Sequence, residues 1–352
     1  MNDTFQRRRA LFCCTCGISG LDSPQGRLLR CSRCKLTQYC SPKCQKQHFV
    51  GHKRQCQQIH RLETEVDALS STILLLPRNS QHFSEQLELY SKLKTDLAKT
   101  TFIAAYHSCD TMERGASMME ISLQHYLRLV SFLAFLDPQL LVEIQHPVAL
   151  LLCALDYDIE AYSFISFCVT NGIGSMESSN ASSSMEAKVE YVRQEMNQKK
   201  AWTISPEDHT ATLLSNNRIV KEKLDQVFLL ILFIIKMKLI FTMRQDRTSL
   251  AVTLREDGIQ ANSEHTIRDM ETTQECHLVE LINHINPDVL IHVRDCVPLD
   301  ALSEFHELTL LLQDCFFLTP GVRSIFDEYI DDDHEIYMNF EDNDNNPTNL
   351  ID

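Results

Sequence analysis

Eight residues between positions 13 and 56 constrain this chain more tightly than any other feature. They run Cys13-x2-Cys16, fourteen residues, Cys31-x2-Cys34, five residues, Cys40-x3-Cys44, seven residues, His52-x3-Cys56. A Cys-x2-Cys knuckle brings two sulfurs to one metal through a tight turn, and x3 spacing does the same from one face of a helix. Thiolate and imidazole are zinc ligands, and eight of them fill two tetrahedra. With no position left for water, such sites organise structure and do no hydrolytic chemistry. Ser41-Pro42 fits an N-cap and first helical residue, which would turn Cys44 toward the metal. Two neighbours are decoys. Cys14 stands too close to Cys16 to form a knuckle, and His48, which follows Cys44 at x3, could ligate in principle in place of His52.

The chain has fourteen cysteines, and its start, MNDTFQRRRALFCC, carries no apolar stretch of signal-peptide length. A reducing cytoplasm or nucleus is therefore expected. There, clustered cysteines read as metal ligands and the six isolated ones (Cys109, Cys153, Cys168, Cys276, Cys296, Cys315) as small buried apolar residues.

The spacing resembles the MYND zinc finger throughout, including Tyr39 just before the fifth cysteine of the pattern and Gln45 just after the sixth. One departure is the gap between Cys16 and Cys31, which is longer than usual and reads as a lengthened hairpin loop. The resemblance implies interleaved pairs: one zinc on Cys13, Cys16, Cys40 and Cys44, the other on Cys31, Cys34, His52 and Cys56. Interleaving would lock a segment too short to bury much core alone. The resemblance also implies docking of short proline-containing peptides of the PxLxP type, added as a strand along the hairpin. Its contact positions fall on Ser32, Gln45 and Phe49. The family usually has Trp at the last of these; Phe49 keeps an apolar floor and loses the indole N–H.

The remainder is long enough for at least one further folded unit, since 352 residues exceed an ordinary single domain. Nine glycines in total and many Leu, Ile, Met, Glu, Gln and Lys favour helix over a turn-rich β architecture. Leu62, Val66, Leu69, Ile73 and Leu76 line one face of a helix over residues 59–76, with Pro77 as its stop. Further helices are expected over 85–97, 118–136, 147–155, 159–169, from Ser205, and over 227–243, 272–285 and 299–317. The run from Val227 to Met243 is the most apolar. A membrane span needs about 20 largely apolar residues, and this run has Lys236 and Lys238 inside it, so it reads as the centre of a core.

The expected architecture is a small zinc-stabilised finger followed by an all-α body, with TPR-like antiparallel helix pairs as one form it could take. The boundaries are a basic arm over 1–12, the finger over 13–56, a helical domain over 59–330 with a Ser-rich loop at 174–186, and an acidic disordered tail over 331–352. The body also resembles fungal and algal MYND-domain proteins through Glu160-Ala161-Tyr162-Ser163-Phe164 and Thr319-Pro320-Gly321. That likeness implies a helical scaffold, with Tyr162 and Phe164 in its core.

Charge is divided unevenly. Residues 1–61 hold twelve Lys or Arg and two Asp, a net of +10, so the rest carries −25 of a total of −15. A basic module on an acidic body suits an acidic protein surface or nucleic acid. A transcription-linked nucleic-acid binder using Arg7, Arg8, Arg9 and the finger is thus the alternative, though no base-reading helix is recognisable.

A third reading follows from the resemblance, because one MYND-bearing family consists of SET-domain lysine methyltransferases. The stretch from Tyr106 to Met112 echoes their Asn-His-Ser-Cys-x-Pro-Asn element without its asparagines or proline, and a β-rich SET fold does not suit a helix-periodic body. Elsewhere His146, His209, His284 and His292 stand alone, and no nucleophile with a base emerges. The function expected is non-enzymatic: a zinc-binding adaptor that recruits protein partners through short linear motifs, without membrane attachment.

Overall fold

The computed structural model describes residues 11–76, 81–108, 112–136, 138–170, 224–257, 262–286, 289–290, 306–317 and 321–329. The basic arm up to residue 10, the Ser-rich loop, the helix expected from Ser205 and the acidic tail lie outside the described residues. The protein folds as two compact units, one of residues 1–228 with 300–312 and one of residues 229–299 with 313–352.

The first unit opens with a hairpin of two-residue strands, β1 (Leu29–Arg30) and β2 (Gln38–Tyr39), paired antiparallel with Leu29 opposite Tyr39. Five helices follow: α1 (Pro42–Leu75), α2 (Gln81–Ser108), α3 (Met112–Leu136), α4 (Pro138–Ala154) and α5 (Asp158–Thr170). Each packs on the next along the chain. Their lengths of 34, 28, 25, 17 and 13 residues repeat no common pair.

Helix α1 differs from the expectation of a separate body helix from Ile59. It starts inside the finger and runs on without a break, because nothing between Cys56 and Ile59 stops a helix: the linking residues are two glutamines. Its far end behaves as read. Leu76 caps it in an extended conformation (φ −67°, ψ 145°), the geometry a following proline imposes.

Helix α4 also corrects the sequence reading, which placed its start at Pro147. It begins at Pro138, a residue pre-set for the first helical turn, and passes through Pro147. The ring removes one N–H from the ladder, and the carbonyl left over belongs to Glu143, which water reaches. Leu141, Ile144, Val148 and Leu151 meanwhile bury the face that holds the helix down. Tyr162 and Phe164 on α5 are core residues, 3% and 0% exposed.

The second unit takes in most of α6 (Gln226–Asp257), then α7 (Asn262–Ile282), the end of α8 (His306–Phe317) and α9 (Val322–Tyr329). The segment Gln226–Asp246 is long and apolar enough to cross a membrane by length and composition alone. However, 67% of its apolar window is buried within the protein, as in a core helix. Lys236 is buried there with its ammonium donating to Gln274 Oε1 at 2.7 Å.

Candidate metal centre

Two knuckles of the same shape begin the finger. The amide of Gly17 donates to the carbonyl of Cys13, and that of Lys35 to the carbonyl of Cys31, both at 2.9 Å. Gly17 and Lys35 therefore occupy the left-handed region, at φ 73° and 57°. Glycine takes it freely and lysine at a cost of about 1 kcal/mol. Gly17 is also where the body meets the finger: a Cβ there would lie 2.2 Å from the Arg114 guanidinium of α3. The remaining ligands come from the end of β2 and the face of α1. Ser41 caps that helix, its side chain accepting from the Cys44 amide at 3.3 Å. Thr15 ties the first knuckle to the helix by donating to the carbonyl of Cys44 at 3.0 Å.

The fold gathers the eight residues into two groups, Cys13, Cys16, Cys40, Cys44 and Cys31, Cys34, His52, Cys56. Within each, all ligand atoms lie within 4.8 Å of one another. The interleaved pairing implied by the resemblance is the pairing the fold produces. A zinc ion bonded at about 2.3 Å to sulfur in a tetrahedron needs sulfurs about 3.8 Å apart. The separations are 3.5 Å for Cys16–Cys40 and Cys40–Cys44 and 3.7 Å for Cys31–Cys56, while His52 Nε2 lies 3.4 Å from Cys34 Sγ. The two tetrads fit two zinc ions.

The electrostatics suit a bound cation. Burial pushes the Cys13 thiol up, but the backbone N–H groups of Cys16, Cys40 and Thr15 aimed at it prevail and bring it down to about 6. Cys31 is lowered in the same manner against its own burial by the amides of Cys34 and Arg33 and by His52. Cys40 and Cys56 are instead pushed up to about 12, first by burial and then by the neighbouring sulfurs. Four thiolates in the first group, or three in the second, repel one another at these distances, and a metal ion would neutralise them.

Around the second tetrad, Tyr39 OH donates to Thr37 Oγ1 at 3.1 Å and lies 2.9 Å from His48 Nδ1. His48 stacks on His52 with centroids 5.3 Å apart. It thus supports a ligand and is not one. Cys14 is likewise no ligand; it is buried with its amide bonded to the Gln38 carbonyl at 2.9 Å.

Of the three residues expected to contact a peptide, Ser32 is exposed, Gln45 is half-buried and Phe49 is 49% exposed. Gln45 and Phe49 share a face of α1, one turn apart. Val50 and Leu21 add 86% and 90% exposed apolar side chains to the finger. Strand β2 is bonded on both sides, to β1 and, through the Gln38 carbonyl, to Cys14. In this pairing the N–H and C=O of Arg30 point away from β2, and among the described residues nothing bonds them.

The lengthened loop is held by its own side chains, with buried Ser23 donating to the Gly20 and Arg27 carbonyls. His146 does not stand alone: Nε2 lies 3.0 Å from Asp225 Oδ2, and its ring meets Phe228 edge-on at 5.2 Å. Only contact across 79 residues makes that pair, so no local pattern announces it. Asp225 in turn accepts from the Phe228 amide and starts α6. His284 Nδ1 donates within its own turn to the Glu280 carbonyl at 2.7 Å.

Comparison with known proteins agrees with this geometry. Residues 13–56 match the family model of the MYND finger. The histone-lysine N-methyltransferase SMYD3 of Mus musculus is 27% identical over 107 residues, which is 29% of this chain and 23% of that protein; SMYD3 of Homo sapiens matches to the same extent. A SET and MYND domain-containing protein of Dictyostelium discoideum is 35% identical over 74 residues, 20% of this chain and 14% of its own length. The chain therefore spans less than a quarter of the length of the curated relatives it matches. No solved structure matches it.

Proposed function

We propose that this chain is a non-enzymatic adaptor of the cytoplasm or nucleus, whose zinc finger recruits protein partners through short proline-containing segments. The observation that carries the reading is the open outer edge of β1. Among the described residues nothing bonds the N–H and C=O of Arg30, and a peptide can add there as a third strand. Ser32 continues that edge, and Gln45 and Phe49 on α1 supply a polar contact and an apolar one for its side chains. Both tetrads are complete without water, so the metals hold this surface in place and activate nothing.

The resemblance to SMYD3 brings a methyltransferase reading with it, but the shared part is 23% of that protein. Two features favour the adaptor. The named strands of the described residues all lie in the finger, and the body presents helices. Of the stretch that echoes the methyltransferase element, the described residues Tyr106 to Ser108 close α2 and Met112 opens α3, so those residues are helical.

The test is fluorescence anisotropy with labelled PxLxP-type peptides on the full-length, zinc-loaded protein. Gln45→Ala combined with Phe49→Ala is expected to weaken binding about tenfold or more, because two anchors of the contact are removed, while zinc content stays at two per chain. Unchanged binding would move docking off this surface, and no binding by the wild type would sink the reading.

A further inference from the structure

Helices α1, α2 and α3 lie antiparallel in a fixed register. Gln58 Nε2 of α1 donates to Thr100 Oγ1 of α2 at 3.3 Å, and Ser122 Oγ of α3 donates to the Ala98 carbonyl of α2 at 2.7 Å. Gly115 lets α3 close on α2, since a Cβ there would lie 2.9 Å from the Ala105 carbonyl. One turn along from the Ala98–Ser122 contact, this register sets Lys94 of α2 opposite the stretch of α3 that carries His125, with Arg128 one turn further on the same face. The charges bear this out. Lys94 feels Arg128, and His125 feels both.

Among the described residues these basic groups form no direct ion pair. Lys94 is 6% exposed, and among the described residues neither it nor Arg128 has a hydrogen-bond acceptor or a carboxylate within 4.0 Å. His125 Nδ1 and Thr95 Oγ1 are buried without any hydrogen-bond partner. Glu63 and Asp67 face Lys94 from α1 beyond ion-pair distance and favour its charged form, and Tyr90 completes the surroundings. A buried ammonium with nothing to donate to is strongly disfavoured, and a second cation nearby makes matters worse. The arrangement makes sense as a ligand site.

We infer that this face binds a small tetrahedral oxyanion, as free phosphate or sulfate or as the phosphate of a small metabolite, through Lys94, Arg128 and His125. Two cations and an imidazole on facing stretches of two helices supply the charge-assisted donors such an anion needs. Burial first and Arg128 second hold the Lys94 ammonium down to about 8, so a bound oxyanion would raise it again and sulfate affinity would fall as pH rises above 8.

Thermal melts and titration calorimetry on the full-length, zinc-loaded protein test this, with millimolar sulfate, phosphate and glycerol phosphate against chloride at matched ionic strength. Sulfate and phosphate are expected to raise Tm saturably, and chloride is not. Arg128→Gln should weaken sulfate binding about tenfold or more, the loss of a charge-assisted contact. Lys94→Met keeps the apolar stem. It should melt above wild type in oxyanion-free buffer, because it removes a buried charge that has no direct ion pair, and should lose the saturable response.

Glycerol phosphate binding as well as phosphate would support a metabolite source, and its exclusion a free-ion site. Equal responses of wild type and Lys94→Met would mark a general salt effect and overturn the inference. So would a Lys94→Met protein less stable than wild type without oxyanion.

Discussion

Between Leu11 and Cys56 the buried apolar residues are six cysteines with Leu36 and Tyr39, and Leu11, Ile18, Leu21, Phe49 and Val50 stand partly or largely in water. Between Ile59 and Ile165 the buried apolar residues are chiefly aliphatic and aromatic side chains, one turn after another, with Lys94 and a few Ser and Thr buried among them. A single helix belongs to both regions. The first part of α1 carries Cys44, His52 and Cys56, and the second carries Ile59, Leu62, Val66, Leu69 and Ile73. The contrast teaches where each region keeps its stability. The finger buries too little apolar surface to stand without metal, so its folding energy is the binding energy of zinc. The body folds by the burial of periodic faces and needs no ion.

The sharpest way to break this contrast is to remove one ligand of the wholly buried tetrad. Cys34→Ser is expected to cost most of the roughly 10 to 16 kcal/mol that a structural zinc contributes. Zinc content measured by mass spectrometry should fall from two per chain to one or none, since the interleaved tetrads share the hairpin and the start of α1. Hydrogen exchange should show protection lost over residues 38–56 and kept in α2 and α3. Loss throughout α2 and α3 would mean that the metal holds the body as well, and the two regions would be one.

How much of this was legible follows the same divide. Ligand identity is written in spacing, which is local, so all eight ligands could be named before any fold was known, and the resemblance to the MYND finger implied how they divide into two tetrads. Helix periodicity in the body is local too, and Leu62, Val66, Leu69 and Ile73 line the buried face their spacing announces. What escaped has a physical reason in each case. The continuity of α1 through Cys56 turns on the absence of a stop between two features that were each read as complete. Pro147 reads as a boundary, because the signal for a break cannot show that a buried face on either side outweighs one lost hydrogen bond. The pairing of His146 with Asp225, and the placing of Arg128 near enough for Lys94 to feel its charge, depend on how distant segments meet, and no window of sequence contains that.

A smaller effect tests the junction from the body's side. Ile59 is fully buried three residues beyond the last zinc ligand. Ile59→Ala should destabilise the body by about 2 to 5 kcal/mol, the range for a large-to-small change in a packed core. Urea unfolding followed by helical circular dichroism would measure this. Zinc stoichiometry should remain two per chain. A variant that also releases zinc would show that cooperativity crosses from the helical faces into the tetrads along α1.

The least of the three effects concerns buried charge, which the two regions treat in opposite ways. In the finger, charge on sulfur is neutralised by metal; at Lys236, burial alone pushes the ammonium down to about 8 from the ordinary 10.5. Below pH 8 the folded and unfolded chains both hold the proton, and the desolvation penalty is constant. Between about 8 and 10.5 the unfolded chain keeps a proton that the folded one releases, so stability rises with pH across that window. Lys236→Met should therefore stabilise the protein at pH 7.5 by on the order of 1 to 3 kcal/mol, and the gain should shrink as pH approaches 10.5. Urea midpoints of both proteins at pH 7.5, 9 and 10.5 provide the comparison, and titration of the tyrosines cancels in the difference. A gain that does not shrink would place Lys236 uncharged, or compensated, throughout, and Gln274, which accepts from its ammonium at 2.7 Å, would then be sufficient partner for it.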